Sequence, residues 1–373
     1  MSAPVYVGIS GWQRYLLEVA HGARQGMVAA GVRALLRVGA ALYRAGLEAY
    51  LLGIKTGLIS QTRAGVPVVA IGNLTVGGTG KTTAVMAVAR QLQAAGLRPA
   101  VLSRGYRGRG TGVVSDGRRV LMTAQQSGDE PWLLAQHLPG VPVLVGKDRR
   151  RTAALATAQL GANVLVLDDG FQYWRLHKDL ELVLVDALNP FDNGRVLPAG
   201  MLREPIGHLH RAQAVWVTHA DLADEGTIGE AAARIGRTCP GMEITLTRHG
   251  PVRLRQVGGG EVELEVLRGA RVVALSGIGN PASFEATLER LGAEVVPARF
   301  PDHHQYRPQE LQTVALQAIE TGAAALVTTE KDEVRLPAWR GAPPLWVLGV
   351  EMLDLGGKPP LLSESLLRRL RER

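Results

Sequence analysis

A glycine-rich loop between an apolar run and a helical stretch constrains this chain more than any other feature. Residues 67–71 predict a short buried strand, residues 84–95 predict a helix, and the loop between them reads Gly-Asn-Leu-Thr-Val-Gly-Gly-Thr-Gly-Lys-Thr-Thr over residues 72–83. This order of strand, loop and helix is the context of a P-loop, in which backbone N–H groups and a helix N-terminus bind phosphates. The segment therefore predicts nucleotide binding in an α/β domain.

Each part of this loop has a predicted task. Lys81 is expected to reach the outer phosphates, and the hydroxyl of Thr82 is expected to face Mg²⁺. The usual pattern begins with glycine where this chain has Thr75. A glycine-rich turn without a ligand is the alternative interpretation. The predicted nucleotide contacts are Thr75, Val76, Gly77, Gly78, Thr79, Gly80, Lys81, Thr82 and Thr83.

Two consecutive aspartates follow a second apolar run. Residues 164–167 read Val-Leu-Val-Leu, as in a parallel strand buried on both faces, and Asp168 and Asp169 come directly after them. Carboxylates at the carboxyl end of such a strand would lie beside the P-loop, where Mg²⁺ needs oxygen ligands. A turn built from two aspartates and a glycine is the alternative, and we favour a Mg²⁺ role.

Alternating strands and helices divide the chain into two α/β sets. Runs at residues 66–71, 100–103, 142–145, 164–167, 182–185 and 214–218 predict a parallel sheet, and a smaller set follows residue 269. Between them, two alternating segments separated by Gly258, Gly259 and Gly260 predict a β-hairpin. The predicted divisions are an N-terminal helical segment (1–62), a P-loop domain (63–241), a hairpin linker (242–268) and a smaller C-terminal α/β domain (269–373), with the active site in a cleft between the two domains.

The N-terminal segment is apolar but interrupted by charge, so that no uncharged run approaches the ~18 residues of a membrane span. At 100° per residue, three arginines fall on one face and an apolar stripe lies beside them, which predicts a basic amphipathic helix. Such a helix can lie in a lipid headgroup layer or pack on the protein's own core. The arginines are Arg33, Arg37 and Arg44, and the stripe is Val32, Leu36, Ala40, Tyr43 and Leu47.

Net charge and cysteine content limit the classes of binding partner and the cellular compartment that we expect for this chain. The formal charge of +8 predicts an acidic partner, such as a nucleotide, a nucleic acid or an anionic lipid surface. The single cysteine, Cys239, cannot form an internal disulfide and favours a reducing compartment. The first residues lack the pattern of a secretory signal, so we expect no export. No nucleic-acid-binding motif is present.

Two candidate catalytic residues lie in different α/β sets. Asp129 precedes a helix-like stretch, where it is either the N-cap or a carboxylate kept ionised by backbone N–H groups. His303 lies in a loop between Asp302 and His304, and a carboxylate paired with an imidazole can exchange a proton with an acceptor hydroxyl. A metal site at this loop is the alternative interpretation.

Arginines also gather near predicted strand ends. Arg104 and its neighbours follow a strand, and three consecutive arginines beginning with Arg149 open a helix, where basic residues oppose the helix dipole unless an anion is near. These side chains suit phosphate contacts. A solvated basic loop is the alternative for the first group.

The ordered set of motifs resembles the tetraacyldisaccharide 4′-kinase family, the lipid A 4′-kinases. The matching motifs run across nearly the whole chain at residues 72–82, 103–106 (Ser-Arg-Gly-Tyr), 128–131 (Gly-Asp-Glu-Pro), 168–172 (Asp-Asp-Gly-Phe-Gln), 197–200 with 203–204, 302–303 and 328–332 (Thr-Thr-Glu-Lys-Asp). The sequence departs from the family pattern at Tyr173, where histidine is common, and at Thr83, where proline often follows Gly-Lys-Thr.

The resemblance implies transfer of the ATP γ-phosphate, with Mg²⁺, to the 4′-hydroxyl of a lipid A disaccharide 1-phosphate precursor. It implies a P-loop parallel-sheet domain and a smaller Rossmann-like domain joined by a β-hairpin, with an N-terminal helix at the cytoplasmic face of the inner membrane. By motif match, Asp129 and His303 are the catalytic pair together with Lys81, and Thr82, Asp168, Asp169 and Glu204 are the metal-facing residues. The substrate-binding residues on this match are Asn73, Arg104, Tyr106, Arg149, Gln172 and Arg203.

One alternative from another functional class is a GTPase or ATPase switch, or a metallochaperone, because such proteins share the Gly-Gly-Thr-Gly-Lys-Thr loop. A guanine-specifying motif would support it, but in the candidate segment Lys331 is followed directly by Asp332. That spacing favours the kinase. We further expect a peripheral association with the anionic inner membrane, a monomer, and no nucleic-acid partner.

Overall fold

The computed structural model describes residues 11–106 and 108–372, and it divides into two compact units. The larger unit comprises residues 15–249 and 352–373, and the smaller unit is formed chiefly by residues 250–351. Each unit carries its own α/β sheet. The predicted fold class, a P-loop parallel-sheet domain and a smaller α/β domain, is confirmed.

Apolar runs form the strands of the larger unit. The strands are β1 (Val68–Asn73), β2 (Pro99–Ser103), β3 (Gly112–Ser115), β4 (Val143–Val145), β5 (Val164–Asp168), β6 (Leu180–Asp186), β7 (Ala214–Thr218) and the start of β8 (Glu243–Gln256). Their order is β8-β7-β6-β1-β5-β2-β4-β3, parallel except for the antiparallel edge strand β3. Since β1 lies between β5 and β6, the loop after β1 and the aspartates after β5 meet at one edge of the sheet.

Helices cover the faces of this sheet. They are α1 (Gly11–Ala20), α2 (Met27–Lys55), α3 (Lys81–Ala94), α4 (Ala124–Ser127), α5 (Asp129–His137), α6 (Arg149–Leu160) and α7 (Glu225–Thr238), with α11 (Glu364–Arg371) at the C-terminus. Leu362, Leu366 and Leu370 pack in the same core as Leu92 of α3. The end of the chain therefore belongs to the larger unit, whereas the predicted boundary placed it in the smaller domain, because these leucines need an apolar partner.

The smaller unit repeats the α/β pattern on a shorter length of chain. Its elements are the end of β8, β9 (Glu261–Val262), β10 (Arg271–Ser276), α8 (Pro281–Arg290), β11 (Glu294–Arg299), α9 (Pro308–Glu320), β12 (Ala325–Thr329), α10 (Glu330–Glu333) and β13 (Leu345–Asp354). The parallel order is β11-β10-β12-β13, and β9 pairs antiparallel with β8. The predicted hairpin is present, but its second strand covers only two residues.

Helix α2 has one side that packs on the protein and another apolar side that is exposed. Two residues of the predicted stripe, Leu36 and Ala40, pack with Phe191 and Leu202, whereas Tyr43 of the stripe is 40% exposed. A second apolar row, which the sequence analysis did not separate from the stripe, is exposed: Met27, Val28, Leu35, Val38, Leu42 and Leu52. No helix in the described ranges is long and apolar enough to cross a bilayer.

Candidate active site

The P-loop is held by backbone bonds to a neighbouring segment of the larger unit. The Val76 N–H donates to the Met201 carbonyl at 2.8 Å, and the Arg203 N–H donates to the Leu74 carbonyl at 2.6 Å. Residues 201–203 lie within the motif at residues 197–204, so this motif lies against the P-loop. Gly80 ends the loop with φ 77° as the N-cap of α3, a left-handed conformation that glycine adopts without strain.

Lys81 is placed among polar groups at the mouth of this loop. Its Nζ donates to Asn73 Oδ1 at 3.1 Å and lies 3.7 Å from Asp169 Oδ1. Burial lowers the pKa of Lys81, and the charges of Asp169, Asp168 and Glu130 oppose that shift. The predicted neighbourhood of P-loop lysine and aspartate pair is therefore present in the structure.

The two aspartates after β5 have different surroundings. Asp168 is buried and accepts a hydrogen bond from the Ser103 hydroxyl at 2.8 Å. Its pKa is raised to about 6 by burial and by the nearby carboxylates of Glu130 and Asp169. Such a carboxylate is stabilised by any cation that approaches it.

Asp169 forms an ion pair with Arg203, whose Nη1 donates to both carboxylate oxygens at 2.9 and 3.1 Å. The same guanidinium lies 3.4 Å from Gln172 Oε1, and the Gln172 amide donates to the Asn73 carbonyl at 3.1 Å. Four residues predicted to contact substrate or metal therefore form one hydrogen-bonded group. Each of these residues is predictable from the sequence motifs, whereas their hydrogen bonds to one another are not.

Glu204 is completely buried in a second charged cluster. Its Oε2 accepts from His208 Nδ1 at 2.8 Å and from Arg211 Nη1 at 3.1 Å, and His208 Nε2 lies 3.2 Å from Glu48 of α2. Glu204 Oε1 is buried without a hydrogen-bond donor among the described residues. The role of Glu204 at a metal stays a prediction. Across residues 11–106 and 108–372, no group of three or more His, Cys, Asp or Glu side chains is placed to hold a metal ion by itself.

Asp129 opens helix α5 as its first residue. Gly128 is the N-cap and makes no side-chain bond, so the alternative interpretation of Asp129 as the N-cap is wrong. Glu130, the next residue, is close enough to influence the pKa of both Lys81 and Asp168. The first turn of α5 therefore approaches the P-loop lysine.

Arg149 is a buried cation whose pKa is influenced by the two aspartates. Only 5% of its surface is exposed, and its pKa is lowered by burial while Asp168 and Asp169 act to raise it. Arg104 also influences Arg149, so these two cations lie in the same region, and Tyr106 is largely exposed.

His303 lies in the smaller unit, and its loop is organised by a buried carboxylate. The His303 N–H donates to the Gly277 carbonyl at 3.0 Å, and the Gly277 N–H and the Tyr306 hydroxyl both donate to Asp332 Oδ1 at 3.0 and 2.9 Å. His303 itself has φ 61°. Asp332 ends the Thr-Thr-Glu-Lys-Asp motif, whose structural purpose the sequence analysis did not assign.

A pair of histidines near the P-loop was also missed. His249 Nε2 lies 3.0 Å from the Thr83 hydroxyl, its ring is 4.8 Å from that of His219, and His219 Nδ1 lies 2.9 Å from Asp186 Oδ1. A methyl group on Gly80 would come within 2.6 Å of the His249 ring. The departure from the family pattern at Thr83 is the sequence feature that points to this pair.

Comparison with known proteins bears directly on this site. The sequence profile of the tetraacyldisaccharide-1-P 4′-kinase family matches residues 32–371. The chain belongs to this family. A tetraacyldisaccharide 4′-kinase of Anaeromyxobacter sp. (strain Fw109-5) is 50% identical over 312 residues, covering 81% of this chain and 82% of the relative. One from Syntrophus aciditrophicus is 41% identical over 331 residues, covering 85% and 88%.

A solved structure of LpxK from Aquifex aeolicus, in complex with ATP, is similar to this member of the 4′-kinase family. The TM-score is 0.71 at 29% sequence identity, covering 91% of this chain and 99% of that one. The predicted family, enzyme class and fold are confirmed, and the family match favours the 4′-kinase over the GTPase-type alternative.

Proposed function

We propose that this chain transfers the γ-phosphoryl group of ATP to the 4′-hydroxyl of a tetraacyldisaccharide 1-phosphate. The observation that carries the proposal is the group formed by Lys81, Asn73, Asp169 and Arg203 at the mouth of the P-loop. A loose phosphoryl-transfer transition state needs positioning and charge neutralisation, and this group supplies both on one edge of the sheet. Residues 75–83 contact the phosphates through the N-terminus of α3 and through backbone N–H groups other than that of Val76, which donates to Met201.

The carboxylates suit Mg²⁺, which in nucleotide sites is bound by one or two carboxylates together with phosphates and water. Thr82, Asp168 and Asp169 would hold it, and Glu204 belongs to the proposed set through Oε1, which has no donor among the described residues. When bound, the ion supplies positive charge to the phosphate oxygens. The chain itself supplies Lys81 and Arg203, whose charges face the same carboxylate.

Asp129 and His303 are proposed to handle the proton of the acceptor hydroxyl. Asp129 lies in the first turn of α5, close to the positive end of the helix dipole. His303 is fixed by its own backbone bond to Gly277. Arg104, Tyr106, Arg149 and Gln172 are proposed to contact the phosphorylated substrates, because arginines bind phosphate oxygens in a bidentate manner.

The exposed apolar row of α2 is proposed to contact the cytoplasmic face of the inner membrane. Leu35 is 72% exposed and Leu42 is 69% exposed, whereas the opposite side of the helix packs on the protein. Contiguous exposed apolar residues next to arginines fit a helix that lies in a lipid headgroup layer. We propose a monomer that associates peripherally with this surface.

The decisive experiment is transfer of labelled γ-phosphate from Mg-ATP to purified tetraacyldisaccharide 1-phosphate in detergent. We expect labelled lipid with the parent protein and with Lys147→Ala, which changes an exposed lysine. We expect at least a ~100-fold loss with Lys81→Ala and with Asp129→Ala. Nucleotide hydrolysis by the parent without labelled lipid would contradict the proposal.

Membrane contact is tested by sedimentation with anionic phospholipid vesicles. Leu35→Asn combined with Leu42→Asn should lower the bound fraction, since it removes buried apolar area from the lipid contact. The matched control is Leu316→Asn combined with Ile319→Asn, which changes two apolar residues of 60% and 61% exposure in the smaller unit. Equal binding of both double variants and the parent would argue against a role for α2.

A further inference from the structure

Tyr173 stands where the family commonly has histidine, and the structure gives this tyrosine two bonds. Its hydroxyl donates to Asp148 Oδ1 at 3.0 Å and accepts from the Arg149 N–H at 3.0 Å. Its ring lies under the Arg149 guanidinium, with 4.8 Å from Cζ to the ring centroid. One side chain therefore contacts Arg149 at both its backbone and its charged end.

Arg149 depends on this support because of where it lies. Arg149 is only 5% exposed, and its Nε has no hydrogen-bond acceptor among the described residues. The charges of Asp168 and Asp169 act to raise the pKa of Arg149, while burial and the charge of Arg104 lower it. A buried guanidinium keeps one orientation only when groups around it fix that orientation, and an aromatic face does so without consuming its hydrogen-bond donors.

A purely structural role for Tyr173 would be capping of helix α6. The helix already has Asp148 as N-cap, whose side chain accepts from the Arg150 N–H, and the Tyr173 hydroxyl accepts from the preceding N–H. Capping alone would stabilise the protein without affecting catalysis. The stacking of the ring on Arg149 is a separate contact with a different expected consequence.

We propose that Tyr173 is a positioning residue, whose ring holds the Arg149 guanidinium in one orientation so that its donors meet a phosphate group. The inference rests on the proposed function. The phosphate belongs either to ATP or to the lipid 1-phosphate, and both present the same oxygen geometry to an arginine. The Michaelis constants for the two substrates distinguish these sources.

The test is a double-mutant cycle between Tyr173→Leu and Arg149→Met. We expect Arg149→Met to lower kcat/KM by ~100-fold and Tyr173→Leu by ~10-fold, with the double variant no worse than Arg149→Met alone, since residues that act through one contact are not additive. Tyr173→Phe keeps the ring and loses both hydroxyl bonds. It should lower the melting temperature and leave kcat/KM within about threefold of the parent.

Arg151→Met is the matched control, because Arg151 lies in the same helical turn with an 89% exposed side chain. Its effect should be small and should multiply with that of Tyr173→Leu. An elevated KM for ATP alone would assign the phosphate to the nucleotide, and an elevated KM for the lipid alone would assign it to the acceptor. Multiplying effects of Tyr173→Leu and Arg149→Met, or full activity of Arg149→Met, would overturn the inference.

Failure of the proposed function gives a different result. If the parent transfers no phosphate to the lipid, the affinity of each variant for ATP is measured by calorimetry. This tests the contact between Tyr173 and Arg149 in the absence of the lipid. A non-additive cycle in ATP affinity then still supports positioning by Tyr173. Additive effects of the two substitutions on ATP affinity, or an ATP affinity that Arg149→Met does not change, would overturn the inference.

Discussion

The P-loop of the larger unit and the His303 loop of the smaller unit are held in different ways. Backbone bonds to residues 201–203 fix the P-loop, and its charged residue Lys81 lies 3.7 Å from Asp169, which follows β5, on the side where ATP is proposed to bind. The His303 loop instead converges on Asp332, which is 0% exposed. Ligand binding can therefore replace contacts at the P-loop, whereas the His303 loop depends on an internal carboxylate.

This difference separates stability from activity. Contacts made with a buried carboxylate contribute to folding whether or not substrate is present, because each partner would be left unsatisfied without it. Contacts between charges at a ligand site contribute little to folding, because the cost of removing the charges from water offsets their attraction. Substitutions in the two loops should therefore fall into two groups when the free energy of unfolding is measured.

The largest expected effect on unfolding is that of Asp332→Ala. The change removes the acceptor of the Gly277 N–H and the Tyr306 hydroxyl and leaves Arg335, with 2% side-chain exposure, without this carboxylate. We expect the smaller unit to lose about 3–5 kcal/mol of stability. Denaturant titration followed by hydrogen exchange of residues 250–351 measures it. Parent-like protection of these residues in the variant would show that Asp332 does not organise the loop.

Tyr306→Phe tests one of the hydrogen bonds that Asp332 accepts. It removes the 2.9 Å bond to Asp332 Oδ1 and keeps the ring contacts with Phe300 and His304. Burial and the Asp332 carboxylate both raise the pKa of Tyr306, so its hydroxyl is protonated and able to donate at physiological pH. We expect a loss of about 1 kcal/mol.

The readout for Tyr306→Phe is urea denaturation of the full chain, with Trp339 and Trp346 reporting on the smaller unit. A matched control is Tyr50→Phe in helix α2, since Tyr50 lies in the larger unit and away from this cluster. A loss as large as that of Asp332→Ala would mean that the tyrosine, and not the carboxylate, is the centre of the cluster.

How far the sequence predicts each region follows from the range of its contacts. Strand β5 was predictable because four consecutive apolar residues leave few other options, and Asp168 and Asp169 follow from its end. Strand β3 was missed because it is a four-residue edge strand whose first half is only partly buried. Neither β3 nor β4 shows the alternation of apolar and polar residues that would mark a half-buried strand.

The site divides in the same way. The P-loop residues are local in sequence, so their pattern predicts their position. The bond between Asp169 and Arg203 spans 34 positions, and that between Gly277 and Asp332 spans 55. No periodicity carries such information, and only the folded chain brings these partners together.

Thr83→Ala should have a smaller effect than either change in the smaller unit. The hydroxyl donates to the Gly80 carbonyl at 2.8 Å and lies 3.0 Å from His249 Nε2. Both contacts are partly buried, so we expect a loss of about 0.5 kcal/mol by chemical denaturation. Thr157→Ala, which removes a comparable helix hydroxyl bonded to Ala153, is the control. A loss well above that of the control would show that the His219 and His249 pair stabilises the P-loop.

Lys81→Met should have the smallest effect on stability and a large effect on activity. Burial lowers the pKa of Lys81, which means that its charge is held at a cost, and Met keeps most of the apolar stem without that cost. Asp169 keeps its two bonds from Arg203, although Asn73 Oδ1 loses a donor. We therefore expect a free energy of unfolding within about 0.5 kcal/mol of the parent, no larger a change than that of Thr83→Ala. Phosphate transfer should fall at least ~100-fold, because the charge that meets the outer phosphates is gone. A variant that loses several kcal/mol would place Lys81 with Asp332 among the groups that hold the fold, and the contrast between the two loops would not stand.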